Sequence, residues 1–260
     1  MSYPATIPSP TAHGARVPFP MLTGDAFALL QEHVLVKRRV VREGERIHQL
    51  GQPLEWLHVV HSGSFKTVNL APDGREQVVG LHLKGDWLGF DGIAQGRHTC
   101  DAVAMDIGEV WSVSYAALLQ ASTRDPALAA LVHAAMSREI TRERNAMMSM
   151  CTLSADARVA EFLRVWLESM SERGLRTDRI TLRMTRAEIG KYLGLTLETV
   201  SRAFSQLARA KVIDFPEKGR RHLSITDADA LSRFVQRSQT AEEDFPRASQ
   251  SFANEPQMVH

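Results

Sequence analysis

The chain has 260 residues, of which 44% are hydrophobic and 23% charged, with a formal net charge of +1. That apolar content can build real cores and excludes a disordered chain, and the length suits one or two domains. No apolar run approaches the roughly 20 residues that span a bilayer, and the start MSYPATIPSPTAHGARVPFP has no basic stretch leading into an apolar one, so neither a membrane partner nor a secretory signal is expected.

Two cysteines, Cys100 and Cys151, are too few for a disulfide framework, which makes the cytoplasm the expected compartment. The charge is unevenly spread. Arg173 to His222 holds twelve Lys and Arg against five Asp and Glu, leaving 19 against 25 elsewhere. A basic module on a mildly acidic body suits nucleic-acid binding, although a solvated surface has the same composition.

Along the chain, residues 1–20 carry five prolines and no apolar periodicity, which predicts a disordered arm. Residues 24–36 suit a short helix. From Lys37 to about Val113 short extended runs alternate with glycines, as in 56–63, 64–70 and 76–83. Ala71-Pro72-Asp73-Gly74 supplies the residues of a hairpin turn between the last two. Many short strands at this spacing indicate a sandwich or roll.

Helical signals begin near Val113. Asp125 to Leu153 contains no Gly and no Pro after Pro126, and its apolar residues recur at spacings of three and four. A helix this long needs a partner for its stripe. A second copy is the simplest one, placing Ile140, Glu143, Met147 and Met150 at the seam, although packing on its own roll is the alternative. Glu143 interrupts the stripe. It either faces its mate as a like charge, or turns outward or pairs with Arg142 or Arg144 of the other chain.

Ala155 to Ser171 reads as a further helix, Arg179 to Met184 as a half-buried strand, and 212–225 as a small hairpin around a turn at 216–219. Between the strand and the hairpin lies the informative stretch. Thr185 and Glu188 have capping-box spacing, Gly194 suits a left-handed helix end, and Thr196 is a second N-cap after a very short connection. The first helix is expected to bury Ala187, Ile189 and Leu193, and the second Leu197, Val200, Phe204 and Leu207. Glu198, Ser201 and Arg202 then project together from the first turns of the second helix, the part that meets base edges in a helix-turn-helix. Arg donates two bonds to guanine, Glu accepts from cytosine, and Ser bonds either way. Thr185, Arg186, Thr196 and Thr199 stand where hydroxyls, a guanidinium and helix N–H groups hold phosphates.

Residues 179–225 resemble the winged helix-turn-helix of the CRP/FNR regulators, and Glu198-Thr-Val-Ser201-Arg202 is similar to the E-x-x-S-R recognition motif of the FNR branch. Lys84-Gly-Asp-Trp-Leu-Gly-Phe-Asp-Gly-Ile93 resembles that branch's β-roll segment. The resemblance covers about residues 22–236. It implies an α+β protein with an N-terminal cAMP-receptor-like jelly roll over 21–121, a long dimerisation helix over 122–153, a winged helix-turn-helix over 154–236 and a flexible tail over 237–260. It also implies double-stranded DNA, a second copy of the chain and RNA polymerase as partners, and a palindrome of the form TTGAT, four bases, ATCAA.

The family's sensing chemistry does not carry over. The FNR iron–sulfur centre uses four cysteines, three near the N-terminus; here no cysteine precedes Cys100, and Trp111 stands at the roll position of the fourth. Where the cAMP receptor has a ribose-binding Glu this chain has Phe90, and Arg97-His98-Thr99 lacks the Arg-Ser pair that holds the phosphate. No cofactor and no metal are therefore expected. Cys100 is a candidate redox thiol with His98 nearby, an inert half-buried cysteine being the simpler reading. Histidines 48, 58, 61 and 82 are candidates for holding haem or a metal, but His58 and His61 fall on opposite faces of a strand, so packed or surface residues are the simpler reading. An enzyme is not expected, because no nucleophile–base motif, P-loop or metal-ligand spacing is present. The competing reading is a ligand-, haem- or redox-responsive module with weak or vestigial DNA binding.

Overall fold

A computed structural model describes residues 24–71, 74–216, 222–225 and 228–243. The arm over 1–20 lies outside them. A helix α1 (Gly24–His33) leads into eight strands, β1 (Val36–Val41), β2 (Arg46–His48), β3 (Trp56–Ser62), β4 (Phe65–Leu70), β5 (Glu76–His82), β6 (Trp87–Leu88), β7 (Asp101–Ala104) and β8 (Gly108–Ser114). They form two antiparallel four-stranded sheets, ordered β1-β8-β3-β6 and β2-β7-β4-β5. Val41, Ile47, Val60, Phe65, Leu88, Ala102, Ala104 and Val110 fill the space between them. The β4–β5 hairpin forms where the sequence placed it, with Gly74 at φ +80 and its N–H donating to the Ala71 carbonyl; Pro72 and Asp73 lie outside the described residues.

At β3 the first sheet is covered on both faces, which is why this strand does not read as polar–apolar alternation. On β3, Val60 faces the inside of the roll, whereas Leu57 and Val59 face a layer of helices. That layer holds α1, α2 (Tyr115–Ser122) and the first half of α3 (Pro126–Thr152). Asp125 caps α3 by accepting from the Ala127 N–H at 2.8 Å, and Pro126 occupies the first helical position.

The helix α3 changes role along its length. Leu128 and Ala135 are buried against the chain's own roll, so the self-packing alternative holds for its first half. Beyond that, Ile140, Met147 and Met150 are exposed, Met147 by 58%, and Glu143 is exposed among them. Arg142 is not available as a cross-chain partner of Glu143. It turns inward, at 2.8 Å from both Asp86 and Glu139 of its own chain.

The C-terminal unit comprises α4 (Ala155–Ser171), β9 (Arg179–Thr181), α5 (Arg186–Leu193), α6 (Leu197–Arg209), β10 (His222–Ser224) and α7 (Ala228–Glu243). Its core joins Phe162, Leu163, Ile189, Val200, Phe204, Leu207 and Leu223, and reaches Val78, Leu81 and Met105 of the roll. β10 pairs with β9, and Asp214 exchanges both backbone hydrogen bonds with Ser224 at 2.9 Å, which supplies the expected hairpin pairing. Residues 217–221 lie outside the described residues, so most of the expected 216–219 turn does too. The tail expected from 237 is corrected: α7 continues to Glu243. No helix among the described residues is long and apolar enough to cross a membrane.

Candidate nucleic-acid interface

The helix-turn-helix is built from local chemistry. Thr185 accepts from the Glu188 N–H at 3.2 Å, and the Glu188 carboxylate takes the Thr185 N–H and hydroxyl at 2.8 Å each, completing the capping box. Gly194 ends α5 at φ +65 and ψ +37. Thr196 then caps α6 by accepting from the Thr199 N–H at 3.2 Å. Between the helices the backbone is so close that a Cβ on Gly190 would lie 2.5 Å from the Leu195 carbonyl oxygen. The sequence reading did not single out Gly190, because nothing local distinguishes it from a poor helix residue.

Val200, Ala203, Phe204 and Leu207 hold one side of α6 in the core. On the opposite side Glu198 and Arg202 are exposed and Ser201 is half-buried, so the three reading candidates share one open face. Arg202 donates to the Thr199 hydroxyl at 3.3 Å, which leans it toward the helix start. Two burial expectations are corrected. Leu197 is 46% exposed, because it opens α6 before the helix reaches the core, and Ala187 is exposed because it lies on the outer side of α5.

The phosphate candidates divide. Thr185 and Thr196 serve as caps, with Thr199 hydrogen-bonded to Thr196. Arg186 departs from expectation: its guanidinium lies over the Phe204 ring, 3.3 Å from the centroid, and packs the hairpin from behind. An aromatic side chain 18 positions away draws it there, a contact that helix periodicity does not reveal.

Helix α5 is also docked on the roll. Lys66 of β4 pairs with Glu188, the Gln77 amide donates to the Lys191 carbonyl, Lys191 meets Glu76 at 3.5 Å, and Arg183 meets Asp106 at 3.2 Å. Deeper in, Asp86 accepts from the Leu83 N–H at 2.8 Å, from Arg142 of α3 at 2.8 Å and from Arg173, just past α4, at 2.9 Å. Burial alone would raise the Asp86 carboxyl, but Arg142 and then Arg173 outweigh it and hold it below its ordinary value. These residues went unnoticed in the sequence because each pair joins distant segments.

In the roll, Phe90 opens a 3-10 turn, Phe90–Gly92, and stacks on Trp87, while Arg97 donates to the Gly51 carbonyl at 2.9 Å. The Asp91 carboxylate takes the Thr99 N–H at 2.6 Å and its hydroxyl at 3.1 Å. Trp111 is buried, stacked on His61, with its indole N–H on Glu109 at 2.7 Å. The surroundings of Cys100 favour the inert reading over the redox one. The thiol is buried, and burial followed by the nearby Asp91 pushes its pKa up, away from the reactive thiolate.

The histidines are packed, as read, but not scattered. His58 faces inward and His61 outward, as strand geometry requires. Inside, His48 and His98 stack at 3.7 Å between ring centroids, with Asp91 beside them. Burial, then the neighbouring His98, lowers the His48 pKa to about 4; burial, then His48, lowers that of His58 to about 3. Near neutral pH both rings are uncharged.

A capped two-helix reading hairpin with paired wing strands, carried on a closed antiparallel roll by a long helix, defines a DNA-binding regulator with a sensor-type domain. The model of the cyclic nucleotide-binding domain matches residues 38–125, and that of the Crp-like helix-turn-helix domain residues 157–234. The chain is 35% identical over 202 residues to the transcriptional regulatory protein btr of Bordetella pertussis, covering 77% of this chain and 82% of that one. It is 29% identical to the fumarate and nitrate reduction regulatory protein of Escherichia coli, covering 78% and 80%. The structure of FixK2 from Bradyrhizobium japonicum superposes with a TM-score of 0.68 at 30% identity, covering 77% of this chain and 97% of that one. The chain belongs to the CRP/FNR family of transcription regulators, and it is not an enzyme.

Proposed function

We propose that the chain acts in the cytoplasm as a homodimer of the FNR branch, setting one α6 into the major groove of each half of a palindrome like TTGAT, four bases, ATCAA. The observation that carries this is the shared open face of Glu198, Ser201 and Arg202 on the first turns of α6, backed by a fully packed opposite face. Thr199 and the first N–H groups of α6 approach phosphates, and Arg186 supports α6 through Phe204. The exposed Ile140, Met147 and Met150 of α3 form the seam with the second copy. The division into a roll over 21–121, a dimerisation helix over 122–153 and a DNA-binding domain over 154–236 follows. RNA polymerase is the further partner that kinship with the family supports.

The experiment is a binding titration against the palindrome and a scrambled duplex at several salt concentrations. The palindrome should bind more tightly at every salt, with log affinity falling linearly with log salt. Equal affinity for the two duplexes would overturn the reading.

A further inference from the structure

We infer that His48, Asp91 and His98 form a binding site for a first-row divalent transition-metal ion, inside the roll and remote from the DNA-reading face. Three separate segments deliver the ligands. His48 ends β2, where the pairing with β7 shifts register between Arg46 and His48, and such an irregularity re-aims a side chain. Asp91 sits in the 3-10 turn after β6. His98 is fixed through its backbone, its N–H donating to Gln52 at 2.9 Å and its carbonyl accepting from Gly51 at 2.8 Å. Its ring lies close over Gly89, where an added Cβ would stand 3.2 Å from Cε1.

One ligand atom from each of the three lies within 4.8 Å of the others. His48 is 1% and His98 3% exposed, yet among the described residues both ring nitrogens of His48 and Nδ1 of His98 have no hydrogen-bond partner. A neutral imidazole has one donor and one acceptor, and burying them unsatisfied is unfavourable. Coordination gives the acceptor nitrogens a partner. Asp91 is prepared as a ligand as well: Thr99 holds Oδ2, and Oδ1 remains on the side of the rings, 3.8 Å from His98 Nδ1. A carboxylate oriented by its own hydrogen bonds is the outer-shell arrangement that metal sites use.

Two imidazoles and one carboxylate favour zinc, iron(II), cobalt or nickel over calcium or magnesium. Binding requires the stacked rings to tilt so that their lone pairs converge, and one coordination position stays open. A cleft of ≈ 220 Å³ lined by Gln52, His58, His98 and Ser112 opens beside the His98 ligand. His58 is held off by its 2.8 Å hydrogen bond to the Ser112 hydroxyl, so it borders the cleft without ligating.

The test uses the full-length protein, stripped with a chelator and titrated with Zn²⁺ against a chromophoric competitor. One ion per chain should bind, and X-ray absorption of the 1:1 adduct should show two imidazole nitrogens at about 2.0–2.1 Å. His48→Ala, His98→Ala and Asp91→Asn should each weaken binding by roughly tenfold or more, while His33→Ala and His133→Ala should leave it unchanged. Binding that survives both His48→Ala and His98→Ala would overturn the site. So would absorption data without paired imidazoles, a measurement on the unmutated protein that stands even if a variant fails to fold.

Discussion

Asp86 and Arg173, 87 positions apart, form an ion pair at 2.9 Å with side chains only 6% and 7% exposed. The pair ties the roll to the end of α4, and Arg142 extends it to α3. Arg173 also donates to the Lys84 and Ser169 carbonyls at 2.8 and 2.6 Å, so its guanidinium is well satisfied. A buried pair gains little over an apolar substitute, but removing one member strands the other. Asp86→Ala should therefore destabilise the protein by about 3–5 kcal/mol in urea unfolding near neutral pH. The acid response has a definite sign. The folded Asp86 carboxyl lies below its ordinary value, so its contribution is complete above about pH 4 and is lost as pH falls through the folded value. The stability gap between the unmutated protein and Asp86→Asn should narrow below pH 4. A gap constant from pH 7 to pH 3 would contradict this account of the charge.

In the proposed complex, Arg202 is the residue on which sequence reading rests most directly. It is exposed and, among the described residues, donates to the Thr199 hydroxyl. Arg202→Ala should cost about 1–3 kcal/mol of binding to the palindrome and flatten the preference at the guanine it reads. Affinity for a scrambled duplex should change far less. An equal loss on both duplexes would make Arg202 a phosphate contact.

Gly190 tests the turn between α5 and α6. In an ordinary helix Ala improves on Gly by about 1 kcal/mol. Here the new Cβ would stand 2.5 Å from a backbone oxygen that cannot move without displacing the turn. Gly190→Ala should destabilise by about 1–3 kcal/mol and weaken DNA binding. Gly194→Ala meets nothing within 4 Å, so only its φ of +65 matters, and about 1 kcal/mol is expected. Thermal unfolding of both variants separates steric from conformational cost; a stabilised Gly190→Ala would refute the close approach.

The helix-turn-helix was legible because its determinants are local: Thr185 with Glu188, Gly194, Thr196 and the apolar spacing from Val200 to Leu207 all lie within one stretch. The roll was legible as short strands between glycines, but the sheet order was not, since β1 pairs with β8 across the whole domain. The same distance hid the pairs of Lys66 with Glu188 and Asp86 with Arg173. It also hid the histidine cluster, whose members come from separate segments. Periodicity gave α3 one continuous stripe, whereas the roll covers only its first half. Periodicity reports which residues share a face, not what covers that face.

No iron–sulfur centre is expected, because ligation within one chain needs four thiolates and this chain has two cysteines. They lie apart, Cys100 buried in the roll and Cys151 exposed at the end of α3. Protein purified without oxygen should show no cluster absorption, and exposure to air should leave its DNA affinity unchanged. Stoichiometric iron with sulfide would refute this.

In the proposed dimer, Glu143 is expected to set how firmly two copies hold together. It is exposed between Ile140 and Met147, in a stripe that the chain's own roll leaves uncovered. Its carboxyl is raised above the ordinary value, by partial burial and by Glu139 one turn earlier. Arg142 cannot relieve it across a seam, being held by Asp86. When two copies pair through this stripe, two carboxylates approach in a partly dry space, and each loses water. Glu143→Ala removes both costs and should tighten the dimer by about 1–2 kcal/mol. DNA binding should tighten with it, because two linked reading heads engage two half-sites. Protonation acts in the same direction, so the unmutated dimer should strengthen as pH falls through the raised carboxyl value, and the variant should not respond. Sedimentation over a dilution series measures both. A weaker variant dimer would mean that Glu143 pairs with Arg144 of the second copy; an unchanged constant would mean that it remains in water and that no charge restrains the dimer at this position.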